Sequence, residues 1–394
     1  MGNFGRSLSA LRSVLLAAML VGTLIECQGQ SGTIPVFNVM TYGATGNGST
    51  NDAPAIQSAI TAAQSSGGIV YFPAGTYLIN TPLTDLNLYR HNIVGSGANS
   101  TVLLIGSRGS FTISGPIQPP YHNGSLENFS VQCQGGTSGG QAGITSQDAN
   151  GLKFRNVTFS NCGTGIDMKN ISAWSERNDF DDVTFFDNRI AVHFDQNPKD
   201  KNNSYDYNSF RIWVNTNQPG TIFLLSGGAN AASSLYSVKG NIEVGTTVFD
   251  SHSDGHANLM YTDTYLINLE DQGSGATSYL FNTVNAGGSN SEVAGIGQLV
   301  IGGNTQLTAP GSIDDFVGNV NGMPQDLGTI TTTASTSDIF TSLQLTPTSK
   351  CMVQPENSTT IPLSQVYVSS YNYEQAVLNH PPIAGAVYRL WCHQ

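Results

Sequence analysis

The sequence predicts an all-β chain whose backbone winds into a single parallel β-helix, with a short helix over its first coil and a small antiparallel β module at its end. Three observations support this fold class. Gly accounts for 44 of 394 residues, and only 11% of residues are charged. Long Leu-, Glu-, Lys- and Ala-rich helical blocks are absent. A short apolar phrase recurs at steps of 26 to 28 residues, which is typical of stacked coils.

The amino terminus predicts a secretory signal over residues 1–30. Two arginines precede a 12-residue apolar stretch, residues 14–25, which is shorter than the roughly 20 residues of a membrane-spanning helix. A buried first helix is the alternative. Cys27 resembles the cysteine of a lipoprotein cleavage box, but Glu26 stands where a small residue is expected. We therefore expect a protein that is secreted, periplasmic or at the cell surface, with no membrane span.

The charge balance argues against nucleic acid as a partner. The net charge is −12, and the 15 Lys and Arg residues form no basic run. The glycine-rich runs lack the lysine of a phosphate-binding loop.

A capping helix is predicted in the stretch NDAPAIQSAITAAQSSGG, residues 51–68. Asn51 or Asp52 would be its N-cap, and Pro54 suits its first turn. Gly67 and Gly68 would end it. One face is apolar and would close the first coil, because an open coil end exposes unpaired strand edges; it consists of Ile56, Ala59, Ile60 and Ala63.

The repeated phrase assigns residues 33–325 to the β-helix. Each copy has an aromatic residue or Leu, an apolar residue three positions later, and another after two more. One coil of two or three short strands fits this period, so equivalent residues should stack about 4.8 Å apart. The predicted interior anchors are Leu126/Phe129/Val131, Phe154/Val157/Phe159, Phe180/Val183/Phe185 and Tyr207/Phe210/Ile212.

Residues 37–79, which include YGATGNGSTNDAPAIQ and GGIVYFPAGTYLI, resemble the opening of pectate lyase superfamily proteins, the rhamnogalacturonase and epimerase type included. The resemblance covers residues 35 to about 300. It implies a right-handed parallel β-helix that binds or cleaves polysaccharide in a groove along its outer face. It does not specify the reaction, because hydrolases, lyases, epimerases and non-catalytic relatives share this opening.

The polygalacturonase motifs are incomplete in this sequence. Asp181 and Asp182 match that family's Asp-Asp, but the Asn-Thr-Asp, Gly-His-Gly and Arg-Ile-Lys motifs are missing. The calcium and arginine arrangement of pectate lyases is not recognisable either. We therefore expect no cofactor, and calcium only if the chain is a lyase.

The stretch AWSERNDFDD, residues 173–182, is the densest polar segment. Stacked coils would bring its side chains beside polar residues of the next coil. Paired carboxylates can hydrolyse glycosidic bonds, and a carboxylate beside arginine can drive β-elimination. Outward Asp, Asn and Arg can equally be ordinary turn residues. The candidate catalytic residues are Glu176, Arg177, Asp182, Asp206 and Arg211, and the candidate substrate-binding residues are Trp174, Asp181, Tyr205 and His256.

His256 also belongs to a second constellation, FDSHSDGHAN, in which Asp250, His252, Asp254 and His256 alternate. On an extended strand these side chains would share one face and resemble a metal site. The Ser, Asp and Gly residues favour a turn instead, and we predict no metal.

Residues 326–394 are predicted to form a linker and a small β module of short alternating strands. Cys351 opens the module and Cys392 closes it, and we predict a disulfide between them. Cys133 and Cys162 lie near neighbouring coils and are either bridged or two buried thiols. Modules of this kind cap, attach or trimerise such chains, so a homotrimer is compatible with the sequence.

Two functions fit these observations. The first is an exported enzyme that cleaves an acidic polysaccharide by hydrolysis or β-elimination. The second is a non-catalytic glycan binder, of the adhesin or tailspike type, in which the same face holds the polymer without cleaving it.

Overall fold

A computed structural model describes residues 33–115, 124–199, 202–251, 258–272, 276–282, 292–302, 305–308, 320–321, 325–341, 350–355, 366–372 and 375–393; several of the later strands are described by their backbone alone. The predicted export signal and His252, Asp254 and His256 lie outside these residues.

The described residues form one α-helix, α1 (Ala53–Ser66), two short 3-10 helices (Val39–Tyr42 and Thr137–Gly139) and a long series of strands. The strands of the coils are β1 (Val36–Asn38), β2 (Asn47–Asn51), β3 (Gly68–Phe72), β4 (Gly75–Ile79), β5 (Pro82–Asp85), β6 (His91–Gly95), β7 (Thr101–Ile105), β8 (Ser110–Ser114), β9 (Ser125–Cys133), β10 (Ala142–Gln147), β11 (Lys153–Ser160), β12 (Thr164–Asn170), β13 (Asp179–Phe186), β14 (Ile190–Gln196), β15 (Ser209–Asn215), β16 (Thr221–Ser226), β17 (Leu235–Glu243), β18 (Thr247–Asp250), β19 (Leu259–Gln272), β20 (Ser278–Asn282), β21 (Glu292–Gly302), β22 (Thr305–Thr308) and β23 (Val320–Asn321). The strands that follow are β24 (Gln325–Thr331), β25 (Ser337–Thr341), β26 (Lys350–Pro355), β27 (Tyr367–Asn372), β28 (Gln375–Asn379) and β29 (Val387–His393).

The strands of the coils form two long parallel sheets. The first sheet runs in the order β1-β3-β6-β9-β11-β13-β15-β17-β19-β21-β23, and the second in the order β5-β8-β10-β12-β14-β16-β18-β20-β22. The chain alternates between them, so that β11 is followed by β12 in the second sheet and by β13 in the first. The predicted parallel β-helix is confirmed.

Helix α1 closes the first coils, as predicted. Its apolar face is fully buried and packs against the 3-10 helix Val39–Tyr42, β3 and β5. Asp52 is the N-cap residue, and the side chain of Asn51, the other candidate, accepts the backbone N–H of Ala53 (3.4 Å). The Asp52 carboxylate accepts hydrogen bonds from the backbone N–H groups of Thr45 (2.7 Å) and Gly46 (3.1 Å) rather than from the helix. Asp52 therefore ties the preceding loop to the helix start.

Aromatic rings stack in a column inside the coils. The ring centroids of Phe154, Phe180, Phe210, Tyr236 and Tyr265 follow one another at 4.7, 4.6, 5.5 and 5.6 Å, with all five side chains buried. Each neighbouring pair contributes about 0.5–1.5 kcal/mol beyond the apolar area that it buries. The repeat in the sequence therefore reflects a physical column.

The expectation that Tyr207 is an interior anchor is wrong. Phe210 is the Cα partner of Phe180 and fills the column, whereas Tyr207 is 55% exposed. The step from Phe180 to its partner Phe210 is 30 residues, whereas the step from Phe154 to Phe180 is 26, and β15 also lacks a residue that β13 has between Asp181 and Val183. The interior anchors of β15 are therefore Phe210, Ile212 and Val214.

A buried polar ladder runs beside the aromatic column. Side-chain oxygens of Asn208, Ser234 and Asp263 accept hydrogen bonds from the backbone N–H of Asn178 (2.8 Å), Asn208 (3.2 Å) and Ser234 (2.7 Å), respectively. Each rung thus satisfies a backbone donor of the coil before it. Burial raises the pKa of Asp263 to about 8, so this carboxyl is protonated in the folded protein at neutral pH.

A disulfide joins Cys133 at the end of β9 to Cys162, which precedes β12, so of the two alternatives for this pair the bridge is present. The C-terminal strands form two antiparallel sheets, β24-β29-β26 and β25-β28-β27. Cys351 and Cys392 are direct cross-strand partners in β26 and β29. Their side chains are outside the description, and their bridge stays a prediction. No helix in the described part of the chain is long and apolar enough to cross a membrane.

The column predicts unequal effects for two aromatic residues. We expect Phe210→Ala to lower the free energy of unfolding by about 3–5 kcal/mol, because it leaves a cavity between the rings of Phe180 and Tyr236. Tyr207→Ala should change it by less than about 1 kcal/mol, because that side chain is mostly in solvent. Urea unfolding of both variants measures the difference, and equal losses would contradict the register given above.

The protonated Asp263 predicts a pH dependence. Its folded pKa is above the unfolded value of 3.8, so the unfolded chain releases this proton first as the pH rises. Stability should therefore fall between about pH 4 and 8, by up to about 1.4 kcal/mol per pH unit from this group. We expect Asp263→Asn to remove that part of the slope in urea unfolding measured from about pH 5 to 7; an identical slope in the variant would show that the carboxyl is already ionised.

Candidate active site

Two groups of polar side chains lie on neighbouring coils, just before and within strands β13, β15 and β17 of the first sheet. The corner cluster comprises Glu176, Arg177, Ser204, Asp206 and Tyr207. The outer groove, a cavity of about 280 Å³, is lined by Asp181, Asp182, Arg211, Ile212, Trp213, Ser237 and Lys239.

The corner cluster lies where the chain turns from the second sheet toward the first. The backbone N–H of Arg177 donates to the carbonyl of Asp206 (3.2 Å), which places the two corners directly over one another. Arg177 and Tyr207 both have left-handed backbone angles, with φ of 56° and 58°. The equivalent residue one coil earlier is Gly151, with φ of 74° and its N–H bonded to the carbonyl of Glu176. Such angles cost a residue other than glycine about 1–2 kcal/mol, and bulky residues held in them are often functional.

The corner cluster brings two carboxyl groups together. The Ser204 hydroxyl donates to Glu176 Oε1 (2.6 Å), and Arg177 lies 3.4 Å from Glu176 Oε2. Asp206 accepts the backbone N–H of Ala232 (2.8 Å) and also interacts with the Ser204 side chain. Ser204 therefore lies beside both carboxyl groups, and its single hydroxyl proton is donated to Glu176.

Both carboxyl groups hold their protons more strongly than usual. Burial raises the pKa of Glu176, with a further rise from the charge of Asp206, while Ser204 and Arg177 oppose it. Burial also raises the pKa of Asp206, against hydrogen bonds from Ala232 and Ser204. A carboxyl with a raised pKa is suited to donating a proton near neutral pH.

The aromatic residues near this corner differ from the expectation. Tyr205 is fully buried, its hydroxyl donates to the carbonyl of Asp195 (3.0 Å) and accepts the N–H of Asn170 (3.2 Å), and burial raises its pKa. The prediction that Tyr205 offers a sugar platform is therefore wrong. Tyr207 and Trp174 are exposed, and the Arg177 guanidinium lies 5.6 Å from the centre of the Tyr207 ring.

Arg211 lines the outer groove and is paired with two carboxylates. Its Nε lies 2.9 Å from Asp181 and its terminal nitrogen lies 2.9 Å from Asp179, on the coil before. These contacts raise the pKa of Arg211, chiefly through the hydrogen bond to Asp181. The guanidinium is thus fixed between two carboxylates on the outer face of the sheet.

Trp213 and Lys239, which sequence reasoning missed, form the far side of the outer groove. They are Cα partners on β15 and β17, Trp213 is 48% exposed, and Lys239 is also exposed. The alternation in Phe210-Arg211-Ile212-Trp213-Val214 already places Trp213 outward, so the signal was present in the sequence. Sugar rings pack on exposed aromatic faces, and an adjacent ammonium favours an acidic sugar.

Asp182 occupies a structural corner of the coil. It has a left-handed φ of 55° and follows Asn128 and Asn156, which hold the same position on the two preceding coils with φ of 63° and 49°. The Asn156 amide donates to the Asn128 side chain (2.8 Å). Asp182 borders the outer groove, and its predicted catalytic role stays a prediction.

The structure thus brings together Glu176, Arg177 and Asp206, and separately Asp181, Asp182 and Arg211. His256 lies outside the described residues. Among the described residues, Asp167, His193 and Asp195 are close enough to share a cation, but the ammonium of Lys169 lies 3.1 Å from Asp167 and 2.6 Å from Asp195. A side-chain cation therefore already occupies the space between these carboxylates.

Comparison with known proteins matches the opening of the chain. Residues 36–134 match the family described as rhamnogalacturonase A/epimerase, pectate lyase-like. Mannuronan C5-epimerase AlgE3 of Azotobacter vinelandii is 36% identical over 92 residues, which are 22% of this chain and 5% of that protein. Rhamnogalacturonase A of Aspergillus aculeatus is 40% identical over 81 residues, which are 20% of this chain and 18% of that one.

Among solved structures, ORF18 of Geobacillus virus E2 aligns over 96% of this chain and 81% of its own, at 15% identity and a TM-score of 0.40. The curated relatives are matched over less than a fifth of their length. The family match ends at residue 134, before the corner cluster and the outer groove. The opening of the chain is thus similar to the pectate lyase-like family, and the coils stacked in two parallel sheets show that the fold is a parallel β-helix.

Proposed function

We propose that this chain is an exported enzyme that hydrolyses glycosidic bonds in an acidic polysaccharide. The observation that carries the proposal is the pair Glu176 and Asp206, two carboxyl groups of raised pKa joined through one hydroxyl on adjacent coils. Paired carboxyl groups at short range are the chemistry of glycoside hydrolysis.

Glu176 is assigned as the proton donor. Its raised pKa keeps a proton available for the oxygen of the leaving sugar. Asp206 is assigned as the nucleophile, because the backbone N–H of Ala232 fixes its carboxylate. Enzymes that retain the anomeric configuration have carboxyl groups about 5–5.5 Å apart, whereas inverting enzymes leave room for a water molecule at about 6.5–9.5 Å. The anomeric configuration of the product therefore tests the assignment of Asp206 as the nucleophile.

The outer groove is assigned to the sugars beside the cleaved bond. Trp213 offers a ring face, and Arg211 and Lys239 offer positive charge on successive coils. Lys239 favours a uronic acid residue beside it, whereas the charge of Arg211 is balanced by Asp179 and Asp181, and Asp182 also lines the groove. The names of the relatives, a rhamnogalacturonase and a mannuronan C5-epimerase, agree with a polysaccharide substrate. No cofactor is required for this reaction.

Export is proposed on two grounds. The first 30 residues have the pattern of a secretory signal. The disulfide between Cys133 and Cys162 is of a kind that persists in oxidising compartments.

A second candidate function is glycan binding without cleavage. The observation that favours it is the burial of Glu176, whose side chain is only 10% exposed. In that case Arg177 would balance the charge of the buried Glu176 carboxylate and Ser204 would donate a hydrogen bond to it. The outer groove would bind the polymer. In both functions the outer groove binds the polymer, but only the enzyme releases a product.

A glycan panel tests the proposal. Purified protein is incubated with acidic and neutral polysaccharides, and new reducing ends and unsaturated uronates are measured. We expect new reducing ends without unsaturation, and a loss of at least about 100-fold in Glu176→Gln and in Asp206→Asn. Activity should fall as the pH rises through the pKa of Glu176, because the proton donor is lost.

Glu127→Gln is the matched control, since Glu127 lies on the outer face of the same sheet and pairs only loosely with Arg155 (3.6 Å). It should retain full activity. Trp213→Ala should weaken binding of the polymer by roughly 10-fold in either function. If the chain binds a glycan through Trp213 and releases no product from any glycan, the proposed hydrolysis is contradicted and glycan binding without cleavage is supported. If the products are unsaturated, the reaction is β-elimination and not hydrolysis.

A further inference from the structure

A second cluster of reactive side chains lies on the outer face of the second sheet and shares no residue with the candidate active site. We call it the second-sheet cluster. It comprises Asp167 and Lys169 of β12, His193 and Asp195 of β14, and Ser226 at the end of β16.

The contacts within this cluster run from Ser226 to His193 and from His193 to Asp167. The hydroxyl of Ser226 lies 2.9 Å from His193 Nε2, and Asp167 Oδ1 lies 3.2 Å from His193 Nδ1. A carboxylate beside Nδ1 favours the tautomer with its proton on that nitrogen. Nε2 is then left as the acceptor for the serine hydroxyl proton. The imidazole is thereby held as a base that faces a serine oxygen.

Three charged side chains, Asp167, Lys169 and Asp195, lie in the cluster with His193. Lys169 bridges Asp167 (3.1 Å) and Asp195 (2.6 Å), and the third strand of the cluster, β16, carries no charged residue. Transfer of the Ser226 proton to His193 leaves the net charge of the cluster unchanged and places the positive imidazolium beside the Asp167 carboxylate, 3.2 Å from Nδ1.

Asp167 remains ionised to support this transfer. Burial alone would raise the pKa of Asp167, but His193 and Lys169 more than offset it and hold that pKa below its usual value. The three side chains of the relay remain partly accessible, with His193 18% exposed and Ser226 half-buried. The strand turns away directly after Ser226 at Gly227, whose φ is 70°. An ester can therefore approach the serine from the outer face of the sheet.

We propose that Ser226, His193 and Asp167 form a second catalytic site, which hydrolyses short acyl esters such as an acetyl ester on a sugar hydroxyl. Ser226 Oγ forms a bond to the acyl carbon while its proton passes to His193 Nε2. The bond from the acyl carbon to the alcohol oxygen breaks, and that oxygen takes the proton from Nε2. A water molecule then repeats the attack on the acyl-serine and releases the acid.

This site rests on its own contacts and does not depend on cleavage of glycosidic bonds. Hydrogen-bonded polar residues on the outside of a coil can also serve stability alone. The two roles differ in the nucleophilicity of Ser226, because only a serine with a positioned base reacts rapidly with acylating or phosphonylating reagents.

The test uses the full chain with p-nitrophenyl acetate and with a fluorophosphonate probe, and mass spectrometry locates the labelled residue. We expect hydrolysis above the buffer rate and labelling at Ser226. Ser226→Ala should abolish both, and His193→Gln should lower both by at least about 100-fold. Ser114→Ala is the matched control, since Ser114 is a half-buried serine at the end of β8 in the same sheet, and it should react as the unaltered chain does.

Asp167 acts through His193 and is a positioning residue. In Asp167→Asn we expect a lower kcat for p-nitrophenyl acetate with an unchanged KM, because the imidazole loses the carboxylate that holds its orientation and tautomer. Thermal unfolding of each variant checks that the fold is retained. The absence of labelling at Ser226 in the folded chain, or an unchanged rate in Ser226→Ala, overturns the proposal. An activity that a chelator removes and a divalent metal ion restores also overturns it, in favour of a metal site formed by Asp167, His193 and Asp195.

Discussion

The structure depends on the lateral registration of successive coils. Phe154, Phe180 and Phe210 stack at 4.7 and 4.6 Å, close to the spacing of hydrogen-bonded strands. The same registration places Asn208 under Asn178 and Asp206 under Arg177. Residues about 26 to 33 positions apart in sequence thereby become neighbours, and every candidate site described above is built from such neighbours.

The scaffold explains why reactive groups gather without a deep pocket. The apolar columns and the polar ladder fill the inside of the coils, so charged side chains must point outward or lie at the corners. At the corner, Glu176 and Asp206 are partly withdrawn from water, and burial shifts the pKa of each. On the open sheet, Arg211 stays ionised between Asp179 and Asp181. Burial thus distinguishes the two carboxyl groups of raised pKa at the corner from the charged groups on the open sheet.

The sequence was sufficient for the fold and only partly for the candidate site. The period of the repeat predicts the coils, and the helix signals around Pro54 predict the cap. Tyr207 was assigned inward because the coil from Phe180 to Phe210 is longer than the repeat and because β15 lacks the extra residue that β13 has after Asp181. Tyr205 was expected to bind substrate, but it is buried with its hydroxyl bonded to Asp195 and Asn170, a contact between coils that no periodicity predicts. Pairing across coils, such as that of Glu176 with Ser204, depends on corner geometry, which no periodicity encodes. The alternation of residues in β15 predicts that the Trp213 side chain points outward, although this residue was not among the predicted site residues.

The most direct test of the proposed function is the ionisation of Glu176 in the folded protein. Carbon-13 NMR of chain labelled at the glutamate carboxyl group, with the signal assigned by its loss in Glu176→Gln, follows this group through a pH titration. The proposal requires Glu176 to titrate clearly above its ordinary pKa of 4.5 and to move when Asp206 is replaced by Asn, since burial and the neighbouring carboxyl both hold its proton. Titration at or below the ordinary value, unaffected by Asp206, would contradict the assignment of Glu176 as the proton donor.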